Sequence, residues 1–476
     1  MTKNTRREKD ILGELEVPAE AYYGIQTVRA AQNFPISGLR ADPALIEAAI
    51  RIKKAAALAN ASLGCLDEDK AGAIDQACDE VLSGRFRDQF IVDVFQMGAG
   101  TSFHMNCNEV LANRASEILG GNRGEYREVH PNDHVNKGQS TNDVFPTALR
   151  MSTLALLRGT LYPELDALAA AFRTKGDEFD GILKSGRTHL QDAAPVRLGQ
   201  GFTAYGLTLD RCRGALIRAA DSLLELGIGG SAVGTGLNTC RHFPERMAGH
   251  LSRLTDMGLR PAPNLQESMQ SMRSFAEVSA SLRNLCLELS RIANDLRLLS
   301  SGPRTGLAEI VLPPVAPGSS IMPGKINPSM LEMLNMVCYQ VIGCDTAVSA
   351  AVQAGQLELN VMMPVIAFNL LFMIRILGNA LREVRSRCIE GIQADPARCR
   401  SYAEESIGLM TALSPHLGYA AASEIAKEAV ARGISLVDVI IERGLYSEDE
   451  LSRILDPGRM TGPGDCASDE DKDGSE

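Results

Sequence analysis

The chain has 476 residues, 45% of them hydrophobic and 22% charged, and a formal net charge of −11. That length can bury a large core and is expected to divide into two or three domains. The acidity argues against a surface built to track nucleic-acid phosphates, but says little about a small anion, which responds to the few donors of its own pocket.

The first ten residues, MTKNTRREKD, are charged and no apolar stretch follows them, so no secretory signal is expected and the protein is expected in the cytoplasm. Residues 1–143 read as an N-terminal mixed, mainly helical domain punctuated by glycines, as in QMGAGTS at 96–102. Residues 144–397 read as a central domain of long helices, with helical patterns at 154–179, 204–226, 330–354 and 365–392. A fifth stretch, 264–301, has neither Gly nor Pro; as one helix it would exceed roughly 50 Å at about 1.5 Å per residue. Within it Phe275, Val278, Leu282, Leu285, Leu289, Ile292, Leu296 and Leu299 recur at alternating steps of three and four, the spacing of a coiled-coil seam. Met269, Met272, Ala276, Cys286 and Ala293 widen that surface, so the helix is expected to touch partners on more than one side. Five such helices make a bundle, and the breadth of their apolar faces points to bundling between subunits.

The longest apolar run, 361–374, is broken by Pro364 and Asn369 and falls short of the roughly 20 residues a bilayer requires, so no membrane helix is expected. Residues 398–463 read as a small C-terminal helical domain whose short helices are bounded by Pro415, Gly433 and Gly444. The polar, acidic segment 464–476 reads as a disordered tail. Eleven cysteines run from Cys65 to Cys466 without a C-x-x-C pair, which points to free thiols and to neither a disulfide framework nor a zinc site.

The most specific chemistry lies in GSSIMPGKINP at 318–328. Two small hydroxyls follow a glycine, a Pro-Gly turn presents Lys325, and Asn327-Pro328 leads into a helix. The front half suits a closing lid, and the second half places a cation and an amide donor near a helix N-terminus, where anions are favoured. Met322 within it reads as a core contact that anchors the loop. Two further segments stand at fixed order before it, GAGTSFHMNCNEV at 98–110 and HPNDHVNKGQSTND at 130–143. Alone, a Gly-Ala-Gly turn is a weak signal and a Ser-Thr-Asn-Asp run is as good a helix N-cap as a binding site.

Together these three segments resemble the signature regions of the aspartase/fumarase superfamily. The resemblance extends to YYGIQT at 22–27, GRTHLQD at 186–192 and GGSAVGTGLN at 229–238, nearly the whole chain to Gly462. It implies a mainly α, three-domain fold whose central five-helix bundle assembles into a tetrameric twenty-helix core, with active sites shared between subunits. It also implies an elimination that makes fumarate from a succinyl group, with no metal and no organic cofactor. By position Ser319 is the general base, and Ser320, Lys325 and Asn327 hold substrate carboxylates. His189 is expected to face the substrate with Glu332 orienting its ring.

A proton next to a carboxylate is barely acidic, so the reaction needs fixed donors that take up the charge of an enediolate-like dianion. Thr101, Ser140, Thr141, Thr188, Ser320, Lys325 and Asn327 supply hydroxyls, an amide and one cation, expected as two clusters, one per carboxylate. A serine is a poor base unless its alkoxide is stabilised, and the glycine-rich approach to Ser319 could offer a cradle of backbone N–H groups. Thr101, Ser140, Thr141 and Asn142 also offer oxygen acceptors to an ammonium leaving group. GQLELNVMMPV at 355–365 and DILGELEVPAEAYY at 10–23 lean towards the ammonia-lyase branch acting on L-aspartate. VHPND at 129–133 and the pairing of His189 with Glu332 lean towards the class II fumarate hydratases. An inert helical scaffold is the third reading, against which Ser319 and Lys325 both remain. His104, His134, His242, His250 and His416 read as structural, and His130 with Asn132 and Asp133 as a secondary anion-binding stretch.

Overall fold

A computed structural model of the chain describes residues 4–456 and 460–462; the segment 464–476 lies outside the described residues. Helices dominate, and among the described residues every sheet has two strands. The chain divides into two compact units, one made of Met1–Glu164, Arg211–Leu287 and Met336–Ala380, the other of Leu165–Asp210, Glu288–Asn335 and the described residues from Leu381 onward.

The first unit is organised around the alanine-rich helix Pro43–Ser62. Asp42 caps its N-terminus through a 2.8 Å bond from the Ala44 N–H, and Pro43 occupies the first turn, where its missing N–H costs nothing. Small side chains along the helix, Ala49, Ala55, Ala56 and Ala59 among them, are buried and let it pack closely against Glu68–Leu82, Thr141–Leu156 and Phe243–Thr255. Ser140 and Asp143 form a reciprocal capping box at the start of Thr141–Leu156.

The long stretch 264–301 is not one helix. It breaks at Ser271 and Met272 into Leu265–Gln270 and Arg273–Leu299. Asn264 caps the first piece by accepting N–H bonds from Gln266 and Glu267, and at the break extended Ser271 accepts one from Arg273 at 3.4 Å. The seam survives within Arg273–Leu299, where Phe275, Val278, Leu282, Leu285, Leu289, Ile292 and Leu296 are buried and Leu299 is half-buried. In the first unit Ser279 bonds Asp345 of Ser329–Gln353 at 2.5 Å, and in the second Asn335 bonds Asn294 at 2.8 Å.

Among the described residues one helical stretch, Met363–Gly391, is long and apolar enough by length and composition to cross a membrane, as a buried core helix also can be. Pro364 does not interrupt it, because it stands in the first turn, and the Asn369 amide is satisfied inside the helix by the Val365 carbonyl at 2.9 Å. Its apolar residues Met363, Ile366, Leu370, Met373, Ile374 and Leu377 are buried in the chain's own core.

In the second unit a hairpin of Leu183–Thr188 and Gln191–Arg197 packs on Pro396–Glu405. The short helices from Met410 to Ile454 share a core of Leu413, Ile425, Val439, Ile440 and Leu451. Gly433 and Gly444 do end helical segments in the left-handed region, but Pro415 lies inside Met410–Leu417.

Candidate active site

Thr101, Ser140, Thr141 and Asn142 fall in the first unit. The Gly-Ala-Gly turn before Thr101 places Ala99 and Gly100 at positive φ and bonds the Ala99 N–H to the Val361 carbonyl at 2.7 Å. A Cβ on Gly100 would come within 2.1 Å of the Phe145 ring, so only glycine lets the backbone approach that helix. Thr101 opens the helix Thr101–Ile118 and borders a cavity of about 530 Å³ with Arg29, Tyr126 and His130.

Ser140, Thr141 and Asn142 form the N-terminal turn of Thr141–Leu156, so the run is both cap and candidate site. Buried Asp143 holds this turn in place. Its Oδ1 accepts the Ser140 N–H at 2.9 Å, and its Oδ2 accepts the N–H groups of Gly229 at 3.0 Å and Ser231 at 2.9 Å. Burial pushes the Asp143 carboxyl up to about 6, against the pull of those three N–H donors. The Asn142 amide donates to the Ala232 carbonyl at 2.8 Å. The glycine-rich stretch 229–238 is therefore tied to the same helix end by two side chains.

Thr188, His189, Ser319, Ser320, Lys325, Asn327 and Glu332 fall in the second unit. Thr188 pairs with Gln191 across a two-residue turn in which His189 and Leu190 both have positive φ, the geometry of a tight hairpin, and the tip is exposed. The base of the hairpin is fixed by fully buried Glu309, which lies 2.7 Å from Arg187 and 3.2 Å from Lys184. Glu309 immediately precedes the strand Ile310–Val311 that leads to the 318–328 loop.

That loop is a closed turn. The Gly318 N–H donates to the Lys325 carbonyl at 2.8 Å, and the Asn327 amide donates to the Gly318 carbonyl at 2.7 Å. A Cβ at 318 would lie 2.3 Å from the Lys325 oxygen, so the clamp demands glycine. Within it Ser319 Oγ accepts backbone N–H bonds from Ile321 at 3.2 Å and Met322 at 3.0 Å. Two donors aimed at one hydroxyl oxygen stabilise negative charge on it. Ser320 and Lys325 are exposed, and Lys325 makes no ion pair among the described residues. Lys325 and Asn327 line a cavity of about 740 Å³ together with Arg398.

The expected contact of His189 with Glu332 is not made within one chain: Glu332 instead lies 4.0 Å from Arg297. Met322 is 49% exposed and is not a core contact, because the loop is anchored by its backbone clamp. His130 caps the turn Pro131–Val135 by accepting N–H bonds from Asn132 and Asp133.

Residues 13–343 match the lyase family and residues 409–462 match the fumarase C C-terminal family. The chain belongs to the lyase family. A relative from Bacillus subtilis (strain 168), aspartate ammonia-lyase, is 49% identical over 97% of this lyase and 97% of its own length. Fumarate hydratase class II of Myxococcus xanthus (strain DK1622) is 47% identical over 97% of this chain and 99% of its own. The solved structure of fumarate lyase:delta crystallin from Brucella melitensis superposes with a TM-score of 0.93 at 49% identity, covering 96% of this lyase and 100% of that chain.

Asp143 and Glu309 carry the local architecture of this lyase although the sequence marked neither as a site residue. Lys53 was missed as well. It is buried at the spacing of the apolar positions Ile46, Ile50 and Ala57 on Pro43–Ser62, and a lysine on such a stripe was the available signal.

Proposed function

We propose that this lyase eliminates ammonia from L-aspartate to give fumarate, reversibly, with Ser319 as the base and without a metal or organic cofactor. The observation that carries this reading is the pair of backbone N–H groups on Ser319 Oγ, inside a loop that also presents Lys325 and Asn327. The alkoxide of Ser319 takes the proton from the carbon next to a carboxylate. That carboxylate becomes an enediolate-like dianion, held by fixed donors. The electron pair then returns to form the double bond as ammonia leaves from the opposite face. Thr101, Ser140, Thr141, Asn142 and Thr188 complete the donor set, and His189 faces the substrate. The name of the Bacillus subtilis relative and the form of residues 355–365 support the amine over the hydroxyl substrate.

Hydration of fumarate to L-malate is the second reading, supported by the name of the Myxococcus xanthus relative. Incubating the enzyme with fumarate, with and without ammonium, separates the two. Fumarate should disappear only when ammonium is present; malate formed in plain buffer would overturn the amine assignment.

The candidate residues divide between two clusters, and His189 is exposed at a hairpin tip, which supports sites completed by other subunits. Leu207, Ile217, Leu287, Leu298, Met336, Tyr339 and Phe372 on the long helices are all more than a third exposed in one chain and would be covered in a homotetrameric core. Sedimentation should give four times the chain mass of 51.2 kDa; a concentration-independent monomer would defeat the shared site. The free thiols, Cys286 and Cys338 among them, support a reducing, cytoplasmic location.

A further inference from the structure

Lys53 is fully buried and its ammonium nitrogen has three neighbours: Asn136 Oδ1 at 3.0 Å, Gln139 Oε1 at 2.9 Å and His104 Nε2 at 2.6 Å. The orientation of the two amides is fixed from behind. Asn136 Nδ2 donates to the Gln139 carbonyl at 3.2 Å, and Gln139 Nε2 donates to the Val135 carbonyl at 3.1 Å. Both amide oxygens therefore face Lys53, which must donate to each. What remains on its nitrogen, a third hydrogen or a lone pair, points at His104.

His104 is buried, and the neighbouring cation together with burial keeps its ring neutral, burial being the larger cause. A neutral imidazole has one donor and one acceptor. Its other nitrogen, Nδ1, lies 2.7 Å from Thr141 Oγ. If Lys53 is charged it donates to Nε2, Nδ1 carries the proton, and Thr141 Oγ accepts. The threonine proton is then free to be given to a ligand. If Lys53 is neutral it accepts from Nε2–H, Nδ1 becomes the acceptor, and the Thr141 proton is consumed inside the protein. Thr141 itself is only half-buried, at the N-terminal turn of its helix.

We propose that Lys53 and His104 are positioning residues that set the polarity of the Thr141 hydroxyl, presenting a donor to a substrate carboxylate while Lys53 holds its proton. The inference rests on the reading of Thr141 as a carboxylate ligand. Burial lowers the Lys53 ammonium to about 7, so the change falls within the working range of most enzymes. The titratable groups around Lys53 are Cys78 on Glu68–Leu82, His104 and Cys107 on Thr101–Ile118, and Asp143 on Thr141–Leu156. Burial holds both thiols protonated, Cys107 up to about 12. On Phe243–Thr255, Glu245, Arg246 and Arg253 are exposed and His250 is half-buried; on Pro131–Val135, Asp133 is exposed and His134 is half-buried, burial shifting both imidazoles further from the charged form.

The test is the KM for fumarate from pH 6 to 9, in the unmutated enzyme and in Lys53→Met and His104→Leu. Fumarate has no group that titrates there, its carboxylates lying near pH 4 or below. The unmutated KM should rise about 10-fold as pH passes through about 7, the loss of one hydrogen bond to a charged group. In His104→Leu that rise should vanish, and Lys53→Met should show the high-pH KM throughout, with kcat changed less than KM in both. A merely structural role would leave the inflection in place. Its persistence in His104→Leu, or a flat unmutated profile, overturns the positioning role alone. An unmutated enzyme that converts none of aspartate, malate and fumarate overturns the functional reading and this inference with it.

Discussion

Replacing Ser319 by alanine is expected to lower kcat about 10²- to 10⁴-fold while leaving the fold and the oligomer intact. General-base catalysis contributes about 10² to 10⁴ in rate, and the Ser319 oxygen is the one whose charge the loop is arranged to receive, through the Ile321 and Met322 N–H groups. The backbone of the loop does not depend on that side chain. It is closed by the Gly318 N–H on the Lys325 carbonyl and the Asn327 amide on the Gly318 carbonyl, neither of which Ser319→Ala removes. Circular dichroism and sedimentation should therefore match the unmutated enzyme. A variant that keeps more than about a tenth of the rate would place the base elsewhere, since one-tenth is far above the residue left when such a base is lost.

Lys325→Ala is expected to lower kcat/KM by about 10- to 100-fold, through KM and kcat together. A hydrogen bond to a charged group contributes about 1.5–3 kcal/mol, and one decade costs about 1.4 kcal/mol. Lys325 holds the loop through its backbone carbonyl, and its side chain is exposed and without an ion pair among the described residues, so truncation removes a cation without disturbing the clamp. If the carboxylate it holds gains charge in the transition state, kcat must fall as well as affinity. Unchanged steady-state kinetics would remove Lys325 from the site.

The turn geometry of the 318–328 segment was legible residue by residue because it is local. A glycine, two serines, a Pro-Gly turn and an Asn-Pro step specify a tight loop through short-range sterics and hydrogen bonds, and the donors to Ser319 lie two and three residues further on. The same holds for the cap at Ser140 and for the seam from Phe275 to Leu296, which is a periodicity. Capping by Ser271 was visible in principle, but a stretch without Gly or Pro outweighed it; the break shows that side-chain competition for backbone N–H groups can end a helix without either residue.

What the sequence by itself determined was the helical class, the seam, the tight 318–328 loop and the chemical types of the candidate ligands, because each depends on residues within a few positions of one another. Only the tertiary structure decided that Asp143 ties the 229–231 backbone to a helix end, that Glu309 secures the His189 hairpin, and that Lys53 reaches Thr141 through His104. Those links join residues up to 122 positions apart, as between Arg187 and Glu309. A hydrogen bond depends on a few tenths of an ångström and on the direction of a donor, and neither is set for such pairs until the helices carrying them have packed.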